Sequence, residues 1–218
     1  MESKIIDRPS FAHIRVDMSA GDRLVAESDA MASMTSNIQL KARFNGGLFR
    51  ALVRRLFGGE SLFVNEYSTD GTGHVILTQP TPGDIECLEL RGNTLYLQGG
   101  AFIACEAGVK LGVGWAGLAS LIGGEGLFRL KVGGHGKVWF GAYGGIFARE
   151  VEGEYIVDTG HLVAYEPSVS LRARLSGGLL SSFFSGEGLV TRVRGPGRIY
   201  LQTRSIAALA AWTNSHLV

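Results

Sequence analysis

Repetition constrains this chain more than any other feature. The block Phe57-Gly58-Gly59-Glu60-Ser61-Leu62-Phe63 returns as Ile122-Gly123-Gly124-Glu125-Gly126-Leu127-Phe128 and again as Phe184-Ser185-Gly186-Glu187-Gly188-Leu189-Val190. Upstream of each lies a turn and an apolar run: Gly21-Asp22-Arg23-Leu24-Val25-Ala26, Gly92-Asn93-Thr94-Leu95-Tyr96-Leu97 and Gly153-Glu154-Tyr155-Ile156-Val157-Asp158. Downstream come Gly73-His74-Val75-Ile76-Leu77, Gly136-Lys137-Val138-Trp139-Phe140 and Gly197-Arg198-Ile199-Tyr200-Leu201. Three landmarks in one order, three times, mean a single supersecondary unit used repeatedly, each copy burying a face against its neighbours. The expected units cover residues 10–80, 81–143 and 144–205 of one domain spanning 1–218, with 206–218 as a short C-terminal tail.

The recurrent runs are short, rich in Val, Ile, Leu, Tyr and Phe, and bounded by Gly, Asn and Asp, which is the signature of strands. Many short strands with glycine punctuation predict an all-β fold, an antiparallel β-sandwich or prism with three pseudo-symmetric repeats. Leu24, Leu95 and Ile156 follow their glycines at the same interval and are the expected equivalent core positions. Pro80 and Pro82 mark a turn between the first two units, and Gly195-Pro196-Gly197 predicts a hairpin in the third.

A chain of 218 residues can bury a sizeable core without disulfide staples. Hydrophobic residues at 45% and charged residues at 19% exclude a disordered chain, and a formal charge of +1 gives no general pull toward nucleic acid. Cys87 and Cys105 fall at non-equivalent places in the repeat and are expected to be buried free thiols. The opening MESKIIDRPS has no apolar core of the signal-peptide kind. The longest uncharged runs, such as Leu111 to Gly124, are glycine-rich and too short to span a bilayer, so a cytoplasmic protein is expected.

No constellation amounts to a catalytic signature, and neither metal nor cofactor is expected. Gly112-Val113-Gly114-Trp115-Ala116-Gly117 spells the dinucleotide fingerprint, but Gly123 and Gly124 interrupt the helix that such a site requires. His13, His74, His135, His161 and His216 are scattered without ligand spacing. The recurrent carboxylates Glu60, Glu125 and Glu187 either gather into a ring or each brace a glycine-rich turn; mutual repulsion favours bracing. Before each Gly-Glu block runs an apolar loop, and the candidate interaction residues are Leu48, Phe49, Leu52, Arg54, Arg55, Trp115, Leu118, Leu179 and Phe183. Such loops either cap a core or present an apolar pole to a subunit, a protein partner or, peripherally, a membrane surface. In the first loop Leu48, Phe49, Leu52 and Leu56 share one helical face while Arg50 and Arg54 point away from it, as in interfacial helices. The expected role is a non-enzymatic oligomeric scaffold; the alternatives are a small-ligand binder with a pocket between repeats or subunits, and an enzyme whose site is assembled across repeats.

The Gly-Glu-Gly-Leu-Phe and Gly-Glu-Gly-Leu-Val blocks, each followed by a Gly-x-[VI]-[WY]-[FL] strand, and the ending Ile199-Tyr200-Leu201-Gln202-Thr203-Arg204-Ser205 resemble the altered-inheritance-of-mitochondria 24 family from Asp17 to Ser205. The resemblance implies a fold similar to the tryptophan RNA-binding attenuation protein class and a homotrimer. It also implies inner-membrane organisation for mitochondrial members. Gly59-Glu60-Ser61 in place of Gly-Glu-Gly, and Arg50, Arg54 and Arg55 in the first loop alone, depart from strict repetition. RNA binding, which fold analogy alone suggests, lacks a basic surface interleaved with aromatics and is not expected.

Overall fold

A computed structural model describes residues 1–43, 64–115, 128–175 and 189–217. The first unit contains β1 (Glu2–Ile6), β2 (His13–Met18), β3 (Arg23–Glu27), β4 (Met31–Met34), β5 (Gln39–Arg43), β6 (Val64–Ser68) and β7 (Gly73–Leu77). The second contains β8 (Ile85–Leu97), β9 (Phe102–Glu106), β10 (Val109–Trp115) and β11 (Phe128–Gly141). The third contains β12 (Ile146–Val151), β13 (Glu154–Asp158), β14 (Leu162–Tyr165), β15 (Ser170–Leu175), β16 (Leu189–Arg194) and β17 (Gly197–Gln202). A 3-10 turn lies at Thr159–His161 and one helix, α1, at Ile206–His216.

Period-2 patterning makes the strands: in β2, Ile14, Val16 and Met18 are buried while His13, Arg15 and Asp17 point outward. The fold is all-β and antiparallel in its strand pairs, and the three units repeat one pairing scheme. β2–β7–β4 corresponds to β12–β17–β14, and β3–β6–β5 to β13–β16–β15. In the middle unit the long strands β8 and β11 each do the work of two: they pair one another along most of their length, and β11 also pairs β10 at its start and β9 at its end. Gly21, Gly92 and Gly153, which open the equivalent turns, have φ of 88°, 91° and 90°, where a side chain would be strained. Each unit also carries the same bulge, a register shift that skips Ala32 in β4, Ile103 in β9 and Val163 in β14.

The units join by strand pairing. β3 of the first pairs β9 of the second through Val25↔Cys105, and β8 of the second pairs β14 of the third through Tyr96↔Tyr165. Packing follows the same route. The first unit's core takes in Ile103, Ala104 and Trp139 of the second, and the second unit's core takes in Val163, Ala164 and Tyr200 of the third. The third core, built on Val157, Leu162, Val193, Ile199 and Leu201, includes no first-unit residue among the described residues.

Two expectations need correction. Ile156 is 56% exposed and not a core residue. Tyr155, two residues after Gly153, pairs Val193 and packs on the third core, taking the inward place that Leu24 and Leu95 reach three residues after their glycines. A one-residue offset turns every side chain of a strand to the other face. Gly195-Pro196-Gly197 is a corner rather than a hairpin, because β16 pairs β13 and β15 while β17 pairs β12 and β14. The C-terminal tail carries α1, capped by the Ser205 side chain accepting from the Ala208 N–H.

Candidate functional site

Of the residues singled out in the sequence, Leu48, Phe49, Leu52, Arg54, Arg55, Leu118, Leu179 and Phe183 lie outside the described residues, as do Glu60, Glu125 and Glu187. Trp115 ends β10, its backbone paired with that of Phe128. The glycine fingerprint begins inside this antiparallel ladder, where Gly112 opposes Lys131 and Gly114 opposes Arg129, so these two glycines lie in a strand and not in the turn that receives a pyrophosphate.

The described residues display a different surface. The edges that join units are of two types with three copies each; two copies of each type are used within the chain, and among the described residues the third copy of each is bare. Among the described residues β4 borders only β7, and β13 borders only β16. Val25, Tyr96 and Ile156 are equivalent by register: each neighbours the inward residue of its strand, namely Leu24, Leu95 and Tyr155. Val25 is 6% exposed and packs into the second core, Tyr96 packs into the third, and Ile156 has no following unit to enter. The complementary edge shows the same contrast. Phe102 and Leu162, which begin β9 and β14, are 2% and 0% exposed, whereas the matching Met31 of β4 is 36% exposed. β9 and β14 are buried almost throughout, while Met31, Ala32 and Ser33 are all exposed. Sequence reasoning missed this pair of edges because burial of Ile156 was inferred from glycine spacing alone.

At one junction the stabilising contacts can be named. The rings of Tyr96 and Tyr165 stack at 5.1 Å between centroids, and the Arg129 guanidinium stands 5.3 Å from the Tyr165 ring. Burial pushes the Tyr165 hydroxyl above its usual range, with Arg129 opposing that shift. Gly114 makes room for Tyr96, since a Cβ there would lie 2.7 Å from its ring.

A cleft of about 620 Å³ opens where the first two units meet the end of the third, lined by Asp29, Gln79, Gln98, Tyr143, Gln202 and Ile206 of α1. Among the described residues no three His, Cys, Asp or Glu side chains are grouped as metal ligands. His161 Nδ1 is 2.7 Å from the Gln202 carbonyl oxygen, and His13 is 3.4 Å from Asp7. Both cysteines are free; burial raises the Cys87 thiol to about 11 and the Cys105 thiol to about 12, so neither is a ready nucleophile at neutral pH. α1 carries Ile206, Leu209 and Trp212 exposed, and among the described residues no helix is long and apolar enough to cross a membrane.

Comparison with known proteins agrees with this architecture. The chain is 29% identical over 222 residues to an uncharacterized protein of Streptococcus pyogenes serotype M6, covering 97% of this chain and 90% of that one. It superposes on a crystal structure of a Streptococcus pyogenes protein from a structural genomics consortium with a TM-score of 0.81 and 27% identity, over 99% of each chain. The family model described as Mitochondrial biogenesis AIM24 matches residues 3–204. A match of that extent, on a chain built from three copies of one strand scheme, shows that the protein belongs to the AIM24 family.

Proposed function

We propose that this protein is a non-enzymatic, homo-oligomeric β-scaffold in which β13 of one copy pairs with β4 of the next. The observation that carries this reading is the unequal use of equivalent edges. The chain makes the same strand junction twice internally, burying Val25 and Phe102 at the first and Leu162 at the second, and leaves Ile156 and Met31 exposed at its two ends. Edges with unpaired backbone and apolar side chains are templates for another strand, and monomeric proteins blunt them. In β4 the blunting devices are missing, since it reads Met-Ala-Ser-Met with neither charge nor proline, and β13 carries charge only at its two ends, Glu154 and Asp158.

The two edges differ, so the contact between copies is head-to-tail and closes into a ring when the rotation per copy allows. A trimer is the closed state that the family resemblance leads us to expect. Within such a ring every copy would complete its neighbour's core as its own units complete one another. Light scattering on the full chain tests this: an oligomer is expected for the wild type and a monomer for Ile156→Lys, which places a charge where Val25 and Tyr96 bury apolar surface. A wild type of 23.3 kDa at micromolar concentration overturns the proposal.

The cleft lined by Asp29, Gln98 and Gln202 favours a second reading, small-ligand binding, because its volume falls in the range that encloses metabolite-sized molecules. Stabilisation of the wild type by members of a metabolite panel, lost on Gln98→Trp, is the expected result; no stabilisation by any member sinks that reading.

A further inference from the structure

We propose that the outward face of β13, β15 and β16 is a binding site for a phosphate-class dianion. Five side chains, Glu154, Ser170, Arg172, Arg192 and Arg194, line a shallow concavity of about 230 Å³ on that face. β16 supplies Arg192 and Arg194 on alternate positions, with the buried Val193 between them pointing into the third core. β15 supplies Ser170 opposite Arg194 and Arg172 opposite Arg192. One carboxylate is present: Glu154 accepts a 2.8 Å bond from Arg192. Three guanidinium groups and one carboxylate leave a local charge of +2.

The repeat supplies a control for what this position needs structurally. The cross-strand pair that is Arg172↔Arg192 in the third unit is Lys41↔Glu66 in the first and Gly112↔Lys131 in the second. Opposite charges facing one another across an antiparallel pair stabilise it, and like charges facing one another destabilise it. The scaffold therefore tolerates a complementary pair or no pair here, and the third unit carries a repulsive one. A third arginine, Arg194, stands beside that pair, and among the described residues only Arg192 of the three is paired with a carboxylate. Guanidinium forks bind phosphate oxygens bidentately, and a dianion matches the local charge. The face also stays open when a neighbouring unit docks: in the second unit, whose edge is paired with β14, the equivalent Lys131 remains exposed.

The direct test is calorimetric titration of the full chain with monomethyl phosphate and with inorganic phosphate at low ionic strength. We expect one saturable site per chain at about millimolar affinity or tighter. Binding should weaken as pH falls through about 6, where a monoester loses its second charge. Arg172→Gln and Arg192→Gln should each weaken binding about tenfold or more, and Lys131→Gln, the matching position in the second unit, should leave it unchanged. Arg172→Glu separates binding from structure: it restores a complementary cross-strand pair, so the melting midpoint should hold or rise while binding is lost. Vesicles bearing a phosphoinositide distinguish the source. Flotation abolished by Arg172→Glu identifies a lipid headgroup, and phosphate binding without flotation identifies a free phosphate ester; both uphold the site. Absence of saturable binding to the wild type, or binding that survives Arg172→Glu, overturns it.

Discussion

The junction between the second and third units can be weighed by a double-mutant cycle on Tyr96 and Tyr165. Tyr165 is 8% exposed and meets both Tyr96, at 5.1 Å between ring centroids, and the Arg129 guanidinium, at 5.3 Å. Replacing it with alanine removes a buried aromatic ring and leaves a cavity, which costs about 3–5 kcal/mol. Tyr96 is half-buried, so its alanine variant should cost less, about 2 kcal/mol. Stacked aromatic pairs contribute about 0.5–1.5 kcal/mol beyond burial, and that is the coupling expected between the two substitutions. Urea denaturation of the four proteins measures it, provided the slope with denaturant is the same in all four. A coupling energy within about 0.3 kcal/mol of zero would mean that the rings pack independently, and that the junction is held by its backbone pairing alone.

Two further outcomes follow from the packing and the titrating groups. Gly114→Ala should cost about 1–3 kcal/mol because its Cβ would meet the Tyr96 ring at 2.7 Å. Gly112→Ala is its control, since nothing lies nearer than 3.9 Å, and equal melting midpoints for the two variants would refute the close approach. Alkaline pH should destabilise the fold. Cys87 and Cys105 are raised by burial from 9.0 to about 11 and about 12, so the native state holds protons that the unfolded chain gives up. Their contribution is fully present below pH 9.0 and is lost as pH rises through about 11 to 12, and a Cys87→Ala, Cys105→Ala double variant should flatten that loss. Stability that rose across this window would contradict the burial of both thiols.

The repeat, the strand identities and the shared glycine turns were legible in the sequence because backbone geometry demands particular residues there: only glycine accepts the φ of Gly21, Gly92 and Gly153 without strain. Which face a strand buries was less legible. The third turn reaches its first inward residue one position early, at Tyr155, and glycine spacing cannot register that change. Edge pairing between units was not legible at all, since Val25, Tyr96 and Ile156 are all apolar and differ only in whether another unit follows. The arginine face was hidden for a related reason. Arg172 lies far from Arg192 and Arg194 along the chain, and only the register of β15 against β16 sets them opposite one another. The alternation Arg192-Val193-Arg194 was the available signal, an outward-facing basic pair on a strand.

Disulfide trapping tests the central claim most directly. By analogy with Val25↔Cys105 and Tyr96↔Tyr165, Ile156 should face Met34 of the next copy. In a background with Cys87 and Cys105 replaced by alanine, an Ile156→Cys chain is mixed with a Met34→Cys chain and oxidised gently. Directly opposed positions in an antiparallel pair bring Cβ atoms to about 4.5–5.5 Å, close enough for a disulfide with small adjustment. The account predicts a covalent dimer that forms from the mixture and from neither chain alone. No dimer from the mixture, or a double variant that closes only within single chains, would contradict it.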